Sequence, residues 1–127
     1  MIRALAIGAT LLAGLPAMAQ DRPASQRQIL VDLAYVIGQS HALRQVCAGV
    51  GDQFWRTRMA KLIDTESPDA AFDRRLREAF NAGFVADQTA FPACGPESRR
   101  EEAKTAAKGR ALAEALARPP AEPEEGH

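Results

Sequence analysis

The residues with the most chemical potential are His41, Arg44, Cys47, Trp55, Arg56, Glu66, Asn81 and Cys94. His41, Cys47 and Cys94 are of metal-ligating types, and as thiolates the two cysteines would complete a three-ligand set. Their spacing does not match the usual ligand patterns, and the other histidine, His127, lies at the far end of the chain. A His41–Cys47 catalytic dyad needs a free thiolate. That condition fails if the cysteines pair with each other. The serines stand at helix starts or on helix faces, and no G-x-S-x-G turn is present. Asp64, Glu66 and Asp69 gather carboxylates at one turn. Sugar hydrolysis needs two such groups facing across a cleft, and no cleft is specified here. No metal and no cofactor is expected.

Arg44, Trp55 and Arg56 form the most suggestive group, because arginine and tryptophan are favoured at binding hot spots. Arg44 falls on the helix face of Ile37 and His41, which otherwise points inward. A buried arginine requires an acid, and Glu66 is the candidate partner. The simpler reading, and the favoured one, makes Trp55 core and His41 a hydrogen-bonded histidine inside the fold. Asn81 is either a polar contact or, with Gly83, a mark of a bend. The binding expectation therefore rests on His41, Arg44, Trp55, Arg56, Glu66 and Asn81.

These residues need elements to position them. Met1–Ala19 has the form of an export signal: Arg3, an uncharged apolar run from Ala4 to Leu15, Pro16, then Ala17-Met18-Ala19. The run is short for a membrane span, which takes about 20 residues. Cleavage after Ala19 removes 19 of 127 residues and leaves 108, in a periplasmic or secreted setting with no later span. An oxidising compartment and an even cysteine count predict a Cys47–Cys94 bridge. With 16 basic against 16 acidic residues, a nucleic-acid partner is not expected.

Residues 20–25 read as a flexible leader, 26–117 as the helical domain and 118–127 as a disordered tail. Ser25 with Gln28 resembles a capping box. Leu30, Leu33, Ala34, Ile37 and His41 then mark one helix face up to about Val46, with Gly38 either weakening the helix or permitting close packing. Asp52 caps a second helix to about Thr65, with Trp55, Met59, Leu62 and Ile63 on one side. Ser67-Pro68-Asp69 starts a third, running to about Phe91. Its Phe72, Leu76, Phe80 and Phe84 recur every four residues. Gly95-Pro96-Glu97 opens a fourth to about Ala117, with a thin face of Ala103, Ala106, Ala107, Leu112 and Leu116. Exposed charge pairs are expected at Asp73–Arg77, Arg74–Glu78, Glu101–Lys104 and Arg110–Glu114. No strand-like alternation occurs. The fold class is all-α: a small four-helix bundle clamped by one disulfide, which leaves the middle helices to close it.

The ordered motifs His41-Ala42-Leu43-Arg44-Gln45-Val46-Cys47, Trp55-Arg56 with Met59, Glu66-Ser67-Pro68, Phe80-Asn81-Ala82-Gly83-Phe84 and Cys94 resemble a family of small exported alphaproteobacterial proteins of unknown function. The resemblance covers about residues 27–117. It implies a secreted or periplasmic helical protein with paired cysteines, and no activity. Gly95-Pro96 departs from it where a Thr-Pro cap is expected. The functional expectation is a non-enzymatic periplasmic interaction protein that contacts an envelope protein or cell-wall component. The rivals are a peptidoglycan-acting enzyme using Glu66 or Asp64, and a carrier of a small ligand or metal.

Overall fold

The computed structural model describes residues 19–119. Residues 1–18 of the expected export signal and residues 120–127 of the expected tail lie outside them. A short 3-10 turn (Ala19–Asp21) precedes α1 (Ala24–Ala48), α2 (Phe54–Glu66), α3 (Ala70–Ala90) and α4 (Pro96–Ala117). The Cys47–Cys94 bond joins the end of α1 to the residues before α4, with Cα atoms 4.9 Å apart.

α1 is the hub. It packs on each of the other helices, while α2 and α3 barely meet. The middle pair therefore does not close the bundle: each member leans separately on α1, and a groove remains between them. The hub role explains the composition of α1. Its buried residues include the nearly continuous run Val36, Ile37, Gly38, Ser40, His41, Ala42 and Leu43, which covers every side of the helix. A helix apolar all round is one surrounded by neighbours. The core joins Leu30, Ala34 and Ile37 of α1 to Met59 and Ile63 of α2 and Phe72, Leu76 and Phe80 of α3. Ala19, which the sequence reading takes as the last residue of the export signal, also packs into this core.

The α1–α3 crossing depends on two glycines. A Cβ placed at Gly38 would lie 1.9 Å from the Phe80 carbonyl oxygen, and one at Gly83 would lie 2.0 Å from that of Tyr35. Only bare backbone allows so close an approach. Gly83 thus marks a contact rather than a bend, since α3 continues unbroken through it.

The caps differ from the sequence expectation. α1 begins after Pro23 with no side-chain cap. Gln28, assigned to a capping box, instead donates to Asp32 and accepts from Arg75. Ser67 does not start α3. It ends α2 in the left-handed region (φ 44°), its hydroxyl donating to the Asp64 carbonyl at 3.1 Å. Asp69 caps α3 by accepting the Phe72 N–H at 2.8 Å. Asp52 is not the cap of α2: Gln53 holds that position without a side-chain cap bond, and Asp52, one residue earlier, accepts the Phe54 N–H at 3.2 Å. Ahead of α4 the Ser98 hydroxyl accepts the Gly95 N–H at 3.0 Å.

α4 docks on a face rotated from the expected one. Its buried residues are Ser98 and Thr105, while Ala103 and Ala107 are exposed. Gly109 lets α4 approach Val36 closely. Of the expected charge pairs, Asp73–Arg77 forms at 3.0 Å, and the other three do not come within ion-pair distance.

Candidate functional site

The α1–α2 connection is held by side chains from the last turns of α1. Arg44 Nε donates to Asp52 Oδ1 at 2.9 Å, and Gln45 Nε2 donates to the carbonyls of Val50 and Asp52 at 2.9 and 3.1 Å. Burial pushes the Asp52 carboxyl up. The Phe54 N–H, the Arg44 hydrogen bond and charge, and then His41 outweigh it and hold the carboxyl below its ordinary range. Arg44 is therefore paired with Asp52, not Glu66, because the tight turn returns Asp52 over the end of α1. Its guanidinium also lies 4.5 Å from the Phe54 ring centre, while Arg58 lies 4.2 Å from it. The Trp55 ring meets Phe54 edge-on at 5.1 Å. The start of α2 is thus a stack of two arginines around one exposed aromatic ring.

Glu66 is buried elsewhere. Arg22 grips it with two donors, Nε to Oε2 at 2.8 Å and Nη2 to Oε1 at 2.9 Å. The same arginine donates to Gln26 Oε1 at 3.0 Å, and Gln26 Nε2 donates to the Arg118 carbonyl at 3.0 Å. This clasp ties the segment before α1 to the ends of α2 and α4. Both carboxylate oxygens of Glu66 are thereby engaged in an ion pair, and Asp69 is engaged as a cap. Nothing in this arrangement favours the hydrolase reading.

His41 is 2% exposed. Its ring packs against Phe80 and Phe84, with centres 5.6 and 5.3 Å away. The expected internal hydrogen bond is not made at Nδ1, which has no partner. Burial lowers its pKa from the ordinary 6.5, the Arg56 charge lowers it further, and Asp52 opposes both. Asp87, which the sequence reading passed over, is also buried. Its Oδ1 accepts from Gln39 Nε2 at 3.1 Å and its Oδ2 has no partner.

Arg56 and Asn81 come together. They line the groove between α2 and α3, with Arg77 beside them and Met59, Ile63 and Phe80 beneath, around a volume of about 220 Å³. His41 lies behind Phe80. Arg56, Arg77 and Asn81 are exposed. Arg77 was legible as a neighbour of Asn81, since residues four apart share a helix face. Trp55 is half-buried and packs against the core, lining a different cleft between α1 and α4. The sequence-selected residues thus divide among a groove (Arg56, Asn81), a loop brace (Arg44), a clasp (Glu66), a second cleft (Trp55) and the core (His41).

Because Cys47 and Cys94 are bonded to each other, they do not act as thiolate ligands with His41. Among the described residues no helix is long and apolar enough to cross a membrane. No curated protein and no solved structure matches the chain. Residues 26–119 match the sequence model of a family described as a protein of unknown function, DUF2385, and the chain belongs to that family.

Proposed function

We propose that this is a non-enzymatic binding protein of the alphaproteobacterial periplasm, exported by cleavage after Ala19, whose contact face is the groove between α2 and α3. The observation that carries the reading is the convergence of Arg56 and Asn81 on one groove with an apolar floor. Arg77 adds a second guanidinium to the lining. Such a groove suits an acidic segment of an envelope protein: carboxylates meet the guanidiniums, and an apolar side chain fills the space above Met59 and Phe80. The disulfide fits an oxidising compartment.

The test places a photocrosslinking residue at Ala60, on the groove wall, and in a separate protein at Lys108 on α4. A discrete adduct from position 60, absent from position 108 and lost in Arg56→Ala and Asn81→Ala proteins of unchanged melting temperature, supports the reading. Equal adducts from both positions, or variants that unfold, overturn the assignment of the groove.

A further inference from the structure

A second cleft lies between α1 and α4, with Trp55 of α2 at its edge. It is half-enclosed and has a volume of about 300 Å³. That is at the small end of ligand pockets. Its walls are almost wholly apolar: Leu33, Val36 and Ile37 from α1, Trp55 from α2, and Ala106 and Ala113 from α4. Gly109 adds no side chain to the cleft, and α4 lies so close to α1 there that a Cβ would come within 3.3 Å of Val36 Cγ1. Two buried hydroxyl-bearing residues, Ser40 and Thr105, contribute the little polarity inside. The single charge on the lining is Arg110. It is exposed, and no acid lies within ion-pair distance of it among the described residues. An apolar slot with one uncompensated cation selects an apolar body with one anionic end.

We propose that this cleft binds a single medium-length acyl chain with a carboxylate head, the chain lying between α1 and α4 and the carboxylate on the Arg110 guanidinium. The volume holds roughly ten heavy atoms at about 30 Å³ each, the share of a water molecule in the liquid, so the cleft encloses most of a twelve-carbon chain while its carboxylate end stands outside, at the exposed Arg110. The site is separate from the α2–α3 groove and does not depend on the reading given to that groove.

Trp55 is the sole tryptophan and lines the cleft, so its emission reports occupancy. The experiment titrates the full chain with dodecanoate, kept below the concentration at which it self-associates, and then with dodecan-1-ol. A saturable change in Trp55 emission at one ligand per chain is expected. Arg110→Gln should weaken dodecanoate on the order of tenfold and leave dodecan-1-ol unchanged. Ala113→Leu, at an exposed rim position, should block both while the protein stays folded by circular dichroism. Arg56→Ala should bind dodecanoate as the parent does, which separates this site from the groove. No emission change up to millimolar dodecanoate, equal affinity in Arg110→Gln, or undiminished binding in a folded Ala113→Leu protein would overturn the proposal.

Discussion

Replacing Gly83 by alanine tests the α1–α3 crossing most directly. In an ordinary helix the change is stabilising by up to about 1 kcal/mol, because glycine is the poorer helix former. Here the new Cβ would lie 2.0 Å from the Tyr35 carbonyl oxygen, whereas ordinary contact begins near 3.4 Å. The obstacle is backbone in the middle of a helix, so no rotamer change relieves it, and α3 must retreat by about 1.4 Å, the difference of those distances. A gap of 0.5–1 Å already forfeits about a quarter to a half of a dispersion contact. Leu76 and Phe80, which lie on the same face of α3, would lose contact with α1 together. Overpacking of this kind costs about 1–3 kcal/mol; a rigid backbone obstacle places this site at the top of that range, so after the propensity gain we expect a net loss of about 2 kcal/mol. For a domain of this size that lowers the melting temperature by roughly 8–16 °C. Gly38→Ala should behave alike, since its Cβ would meet the Phe80 carbonyl oxygen at 1.9 Å. The double variant should lose about 1 kcal/mol less than the sum, because one retreat relieves both clashes. Gly109→Ala is the control. Its contact is 3.3 Å to a valine methyl that can yield, so its stability should stay within about 0.5 kcal/mol. Thermal melts by circular dichroism without reductant read all four proteins. A Gly83→Ala protein that melts within about 2 °C of the parent, or higher, refutes the backbone-contact argument.

Three further outcomes follow from other parts of the fold. Cys47 and Cys94 close a loop of 47 residues, so the Cys47→Ala, Cys94→Ala protein should lose about 4 kcal/mol by the chain-entropy model, read from urea unfolding with and without reductant. Arg22→Ala strands the Glu66 carboxylate, whose side chain is 4% exposed, and should cost about 3 kcal/mol in the same assay, with Gln26→Ala costing less. His41 is held neutral by burial and by Arg56, so its pKa is lower in the folded protein than the ordinary 6.5. The unfolded chain therefore takes up the proton first as pH falls. The stabilisation is complete above 6.5 and is lost as pH drops through the lower folded value. The melting temperature should decline from pH 7 to pH 5, and His41→Gln should flatten that decline. A parent protein insensitive to pH across that window contradicts the burial argument.

The linear sequence determined the helices. The four-residue recurrence of Phe72, Leu76, Phe80 and Phe84, the breaks at Gly49-Val50-Gly51, Ser67-Pro68 and Pro92, and the lack of strand alternation placed each element to within a few residues. These are local properties, set by periodicity and by which residues end a helix. The disulfide was also legible, because only two cysteines exist to be paired. Caps were less so. Ser67 and Asp69 are both good cap residues, and only the path of the chain between α2 and α3 decides which of them serves α3.

What the tertiary structure alone decided is which helices touch and which acids meet which bases. Glu66 goes to Arg22 across 44 residues and Arg44 goes to Asp52 across eight. Side chains as long as these have several partners within reach in a sequence, and the packed geometry selects one. The α4 face was misplaced for a related reason. Ser98, Thr105 and Gly109 pack because they are small, whereas an apolar count rewards the alanines that face outward. The meeting of Arg56 with Asn81 likewise depends on α2 and α3 each resting on α1 and leaving space between them. A spacing along one helix dictates a face, but a groove exists only once two helices have been fixed against a third.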